Sequence, residues 1–234
     1  MGTQLTLDLA LRPALGRDDF LVATSNSAAV ALVDQWPHWP AHAALILGAA
    51  GSGKSHLAHV WQGRTGAHIA PLSALTIETV PAFLATGAVV LEDATPENIP
   101  ETALFHLLNL AKANDGHVLL TATMAPEGWG ITLPDLRSRL VAIPTVTIAQ
   151  PDDALLRGVL VKLFADRQIA IDESLVNFLL MRMPRSLGFA REIVARIDEA
   201  ALEQGAEVTR PFVRRVLQDH LEPGLLDDDV NKLS

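Results

Sequence analysis

The sequence contains no cysteine, which excludes a disulfide framework, a thiolate zinc site and a cysteine nucleophile. Positive charge is also short, since 18 Lys and Arg stand against 27 Asp and Glu, a net charge of -9. A chain of that sign does not hold nucleic acid through its overall field, although a local basic patch stays open. No run approaches the ~20 apolar residues that span a bilayer, and the N-terminus lacks the basic region and apolar core of a secretory signal. These absences predict a soluble cytoplasmic protein with no membrane partner. The eight histidines show no metal spacing beyond His56 and His59, which have no acidic third ligand beside them. What the chain has is apolar substance: 49% hydrophobic and 19% charged residues over 234 positions predict one or two globular domains with a substantial core.

The most informative stretch is Gly48-Ala49-Ala50-Gly51-Ser52-Gly53-Lys54-Ser55, which has the spacing of a phosphate-binding P-loop. Its flanks fit, because Ala43-Ala44-Leu45-Ile46-Leu47 reads as a buried strand entering it and His56 onward as the helix leaving it. Glycines let successive N–H groups turn toward phosphate oxygens, and the helix N-terminus adds its dipole. The candidate nucleotide contacts are therefore Gly48, Gly51, Ser52, Gly53, Lys54, Ser55 and His56. Lys54 would reach the β- and γ-phosphates and the Ser55 hydroxyl would ligate Mg²⁺. The pattern implies binding of a nucleoside di- or triphosphate.

Around this loop the chain alternates strands and helices. A tail, residues 1–16, precedes a helix expected over 28–36, capped by Ser25 or Asn26. A short strand is expected at 67–70 and a helix from Ser73 to Phe83 that Pro81 ends or kinks. Ala88-Val89-Val90-Leu91 reads as a buried parallel strand with Glu92-Asp93 at its C-terminal edge. A helix over 100–114, a strand over 118–123 and a last strand over 141–148 follow. This predicts an α/β domain, residues 17–150, built on a doubly wound parallel sheet with ligands outside the carboxyl ends of the strands. Residues 151–222 read as four helices forming a small all-α lid domain, and 223–234 as an acidic tail. Trp36 and Trp39 are expected in a packed turn before the first strand.

An α/β P-loop domain followed by a small helical lid resembles the AAA+ proteins. Asp19-Phe20-Leu21-Val22 with Ser25-Asn26, the box Leu133-Pro134-Asp135-Leu136-Arg137-Ser138-Arg139-Leu140, and Pro151-Asp152 at the start of the lid are similar to one branch, the DnaA-type initiators and their Hda-type regulators. The resemblance implies that Phe20, Val22 and Asn26 contribute to adenine binding. It also implies that Arg139 is an arginine finger, offered in trans to a neighbour's nucleotide. Two features favour the Hda type. The chain ends with the lid, leaving no room for a helix-turn-helix DNA-binding domain. It also begins with Gln4-Leu5-Thr6-Leu7-Asp8-Leu9, which is similar to a sliding-clamp-binding peptide. Leu5, Leu7 and Leu9 would enter an apolar groove while Gln4 bonds at its edge.

The remaining motifs depart from the AAA+ pattern. Aligned on the apolar strand, Glu92 takes the Mg²⁺ position and Asp93 the water-polarising one; the alternative register gives Asp93 and Ala94. Both registers imply weak or absent intrinsic hydrolysis, because Mg²⁺ is strict about geometry. Thr123 stands at the sensor 1 position where the initiators carry Asp. The strict sensor 2 register falls on Gly188, between Arg185 and Arg191, and Arg185 is the candidate. The resemblance thus implies a binder of ADP or ATP with Mg²⁺, with the DnaA initiator and the DNA polymerase sliding clamp as partners. DNA would be reached only through the clamp, and a homo-oligomer is left open. An autonomous helicase-loader-type ATPase and a non-catalytic adaptor are the alternatives.

Overall fold

The computed structural model describes residues 21–221, and the chain divides between Gln150 and Pro151 into two compact units. The first is built on five parallel strands, β1 (Ala43–Gly48), β2 (His68–Pro71), β3 (Ala88–Ala94), β4 (His117–Ala122) and β5 (Thr145–Ile148). They lie in the order β2-β3-β4-β1-β5. Parallel neighbours require crossovers, supplied by α2 (Lys54–Thr65), α3 (Val80–Phe83), α4 (Glu101–Ala113) and α5 (Pro134–Ala142), while α1 (Ser27–Asp34) precedes β1.

Side chains along a strand alternate between faces, so the unbroken apolar runs feed two cores. Leu45, Leu91, Leu120 and Ala122 pack with α3, α4 and α5 on one side. Ile46, Val90, Leu119 and Ile148 pack with α1 and α2 on the other. Within the second core Trp39 stacks on Trp61 at 5.2 Å, Trp36 meets Trp61 edge-on, and the Trp39 Nε1–H donates to the Leu32 carbonyl at 2.7 Å. The Trp36–Trp39 turn is a packed element, as its sequence predicts.

Two elements differ from expectation. The expected α-helix does not run from Ser73: Leu72–Ala74 form a single 3-10 turn, and residues 75–79 are not helical. Thr76 and Thr79 accept each other's backbone N–H through their hydroxyls, a local alternative to helical bonding. Helix α3 begins only at Val80, with Pro81 in its first turn, where a missing N–H costs nothing. Pro81 therefore starts a helix instead of ending one. Val141 belongs to α5, not to the last strand. Leu136 and Leu140, one turn apart, bury against the first core and carry the helix to Ala142, leaving Val141 on the exposed side. Strand β5 then begins at Thr145, after Pro144.

The second unit holds α6 (Asp153–Asp166), α7 (Glu173–Leu180), α8 (Leu187–Gln204) and α9 (Arg210–Leu221). Three of them start on a side-chain cap: Asp152 accepts from Leu155 N, Asp172 from Leu175 N and Ser186 from Phe189 N, each satisfying an orphan helix donor. Leu160, Phe164, Val176, Leu179, Ile193 and Ile197 are buried in its core. Gly205 ends α8 in a left-handed conformation, φ 55°. Among the described residues no helix is long and apolar enough to cross a membrane.

Candidate functional site

The turn between β1 and α2 carries two glycines at positive φ, Gly51 at 72° and Gly53 at 108°, conformations that a Cβ would strain. Gly48 is constrained by space: a Cβ there would lie 2.6 Å from Ser52 Oγ and 3.1 Å from the Ile148 carbonyl oxygen. The chain therefore wraps into a cradle at the N-terminus of α2, where backbone N–H groups have no helical acceptors. Ser52 is buried and its Oγ has no hydrogen-bond partner. Lys54, only 6% exposed, turns back to donate from Nζ to the carbonyls of Gly48 (2.8 Å) and Ala49 (3.0 Å). Burial pulls its ammonium below the ordinary lysine value, while the carboxylates of Asp93 and, less strongly, Glu92 oppose that shift. Ser55 is exposed at the first turn of α2 and His56 half-buried beside it.

The acidic pair lies at the carboxyl end of β3 on a bulge. Leu91 pairs with Leu120 and Ala94 with Ala122, so Glu92 and Asp93 face the single residue Thr121. The bulge places Asp93 at φ 57°, a left-handed conformation uncommon for a residue with a side chain. Its N–H donates to Thr121 Oγ1 at 3.3 Å, and its carbonyl accepts from Asn98 Nδ2 at 2.9 Å. Asp93 is exposed; Glu92 is half-buried, with Oε1 sequestered and unpartnered. Ala94, the acid position of the alternative register, is fully buried in the core. A cradle rich in N–H donors, a buried lysine, an exposed hydroxyl and two carboxylates form a donor set that fits a polyphosphate with a hard divalent cation.

The other predicted residues fall elsewhere. Val22 packs partly buried against the second core. Asn26, 3% exposed, uses its side chain to hold the preceding turn, accepting from Ala23 N and donating to the Leu21 carbonyl, each at 2.9 Å. Arg139, half-buried on α5, lays its guanidinium over the Phe105 ring at 5.1 Å. With Lys112, His42 and Leu108 it lines a cavity of about 230 Å³. In the second unit Arg185 is exposed and pairs with Asp153 at 2.9 Å. Phe20 and the peptide residues Gln4, Leu5, Leu7 and Leu9 lie outside the described residues.

Three residues that sequence reasoning did not single out shape these positions. Thr121, with no exposed surface, and Asn98 hold the bulge from both sides. The signal for Thr121 was a hydroxyl in an otherwise apolar buried strand, which must find a partner. Phe105 under Arg139 had no separate signal, being one apolar position of an amphipathic helix.

The sequence model of the family described as Hda, lid domain, matches residues 153–217. In fold, the chain is similar to domain III of the Thermotoga maritima replication initiation protein DnaA, with a TM-score of 0.70 at 18% identity over 91% of this chain and 99% of that one. The chain has the fold of DnaA domain III, and its helical unit matches the Hda lid model. The chain is also similar in fold to AMPPCP-bound DnaA from Aquifex aeolicus, with a TM-score of 0.62 at 16% identity over 84% of this chain and 67% of that one. A Thermotoga maritima RuvB mutant gives a TM-score of 0.63 at 17% identity, covering 83% of this chain and 67% of that one. A curated Haemophilus influenzae protein is 30% identical over 118 residues, 50% of this chain and 51% of that relative. The chain thus matches about half the length of this relative.

Proposed function

We propose that this protein binds an adenine nucleotide in its own P-loop and stimulates hydrolysis of ATP held by the DnaA initiator, thereby limiting replication initiation in the cytoplasm. In this reading Arg139 is the finger presented to the initiator's nucleotide. Gln4, Leu5, Leu7 and Leu9 dock the chain on the DNA-loaded sliding clamp. The observation that carries the reading is an intact phosphate cradle beside a distorted acidic pair. Gly51, Gly53 and buried Lys54 are arranged for phosphate, whereas Glu92 and Asp93 sit on a left-handed bulge. Such a site suits retention of a nucleotide better than its turnover.

Gly48, Gly51, Ser52, Gly53, Lys54 and His56 would hold the phosphates, with Val22, Asn26 and Phe20 toward the base and Arg185 from the lid. Ser55 and Glu92 would hold Mg²⁺, and Asp93 would be a poorly placed carboxylate for polarising the attacking water. The unpartnered Ser52 Oγ and Glu92 Oε1 are polar atoms that such a ligand would satisfy. The bound nucleotide supplies the phosphate charge that the cradle N–H groups and Lys54 neutralise. AMPPCP in the Aquifex aeolicus DnaA structure supports adenine as the base.

The test is a reconstituted mixture of ATP-loaded initiator, DNA-loaded clamp and this protein. Arg139→Ala is expected to slow initiator ATP hydrolysis by about 10³-fold or more, the usual scale for a finger. Gln4→Ala is expected to weaken clamp dependence alone. Wild-type rates from both variants end the proposal. The RuvB likeness, which includes a chain titled a branch migration motor with a TM-score of 0.57 at 16% identity, favours an autonomous ATPase as the second reading. That alternative requires ATP turnover by the lone protein, abolished by Lys54→Ala.

A further inference from the structure

In a chain of net charge -9, three arginines of the lid converge on one ring. The guanidinium carbons of Arg182, Arg210 and Arg214 lie 4.2, 5.1 and 6.0 Å from the centroid of Phe178. Phe178 on α7 is 2% exposed, so the ring is covered, while all three arginines are exposed. Arg210 and Arg214 are one helical turn apart on α9, about 6 Å along its axis. Arg182 follows the C-terminal end of α7 and reaches back toward the Phe178 carbonyl at 3.5 Å. Cation–π contact fixes the guanidiniums in place and lowers the entropy lost when they bind an anion.

Charge compensation around the cluster is thin. Asp172 is the carboxylate that feels Arg210, but it is occupied as the cap of α7, accepting from Leu175 N and Ser174 Oγ. Glu173 faces Arg157 at 3.9 Å. Like charges held this close favour an external anion with more than one negative group. Arginine forks take phosphate oxygens in pairs. The ring is covered, and Met181, 80% exposed beside Arg182, adds apolar surface. Exposed guanidiniums fixed over a covered ring suit backbone charge, as nucleic-acid phosphates offer it.

We infer that Arg182, Arg210 and Arg214 form a phosphate-backbone contact for DNA, direct and independent of base sequence. This goes beyond the reading above, in which DNA is reached only through the clamp, and it stands or falls separately from Arg139.

The full chain is titrated against a fluorescein-labelled duplex of arbitrary sequence across a salt series. Three phosphate contacts predict that the association constant falls roughly 40-fold between 50 and 200 mM salt. The triple variant R182A/R210A/R214A is expected to bind at least 10-fold more weakly with a shallower salt dependence, and the Lys triple variant to retain most of the binding. Arg214→Glu, whose contact to the ring is the longest of the three, repeats the test if the triple variant misfolds. Absence of wild-type binding at 50 mM salt overturns the inference, as does equal binding by wild type and variants. Displacement of the duplex by polyglutamate as readily as by unlabelled DNA reassigns the patch to acidic peptides. Displacement by Mg-ADP reassigns it to the nucleotide site.

Discussion

At Asp93 the backbone is held at φ 57° by bonds from both sides, its N–H to Thr121 Oγ1 and its carbonyl from Asn98 Nδ2. A side chain in that region costs free energy that glycine does not. Asp93→Gly is therefore expected to stabilise the α/β unit by about 0.5 kcal/mol net of glycine's backbone entropy, raising Tm by about 1–2 °C. Calorimetry of the two proteins checks this, and a fall in Tm shows that the carboxylate stabilises more than the conformation costs. Residue identity alone shows acids at a strand end; it does not show the bulge. The glycine-rich turn between β1 and α2 was legible because its glycines, lysine and serine stand at fixed spacing. The bulge was not, because it depends on Thr121 of another strand and Asn98 of the following loop.

Among the elements, Glu101 shows how a helix start can pin a distant loop. From the first turn of α4 its carboxylate accepts from Thr132 N, Thr132 Oγ1 and Leu133 N, the last at 2.7 Å. This anchors the entry to α5, the helix that carries Arg139. The Thr132 N–H bond, with Leu133 N–H, the Thr132 hydroxyl and Arg137 assisting, holds the Glu101 carboxyl below the usual glutamate value against the opposing effect of desolvation. A depressed folded value means that the stabilisation is present above the unfolded value and lost as pH falls through the folded one. Glu101→Gln is expected to lower Tm by about 1–2 °C at pH 7, a figure discounted for solvent exposure. The difference should begin to narrow as pH falls below about 4 and close once the folded carboxyl is protonated, and thermal melts across that range test it. The buried strands and the capped lid helices were readable from apolar runs and from Asp152 and Ser186. The stretch from Ser73 to Thr79 was not, since the Thr76–Thr79 exchange competes with a helix on nearly equal local terms. Val141 misled for a related reason: β-branched Val141 and Ile143 ahead of Pro144 read as strand, and only the burial of Leu136 and Leu140 decides for helix.

For the molecule as a whole, a nucleotide that binds the folded state alone must raise its stability by mass action. At 100 times its Kd, ADP with Mg²⁺ is expected to add about 2.7 kcal/mol, shifting the melting of the α/β unit upward by roughly 5–10 °C. Differential scanning fluorimetry across an ADP series measures this directly, and an unchanged melting curve removes the nucleotide from the proposal. The two-unit division at Gln150 was legible as a change from alternating strands and helices to helices alone. The lid arginine cluster was not, because net charge averages away a patch that only folding assembles.

The indoles of Trp36, Trp39 and Trp61 share one pocket, and Trp61 belongs to α2, the helix whose first turn carries Lys54 and Ser55. The sequence has four tryptophans and no tyrosine, so three of its four strong ultraviolet emitters sit against that one helix. The molecule therefore carries its own optical gauge: any tilt of α2 on filling the loop would alter emission colour and intensity without an attached dye.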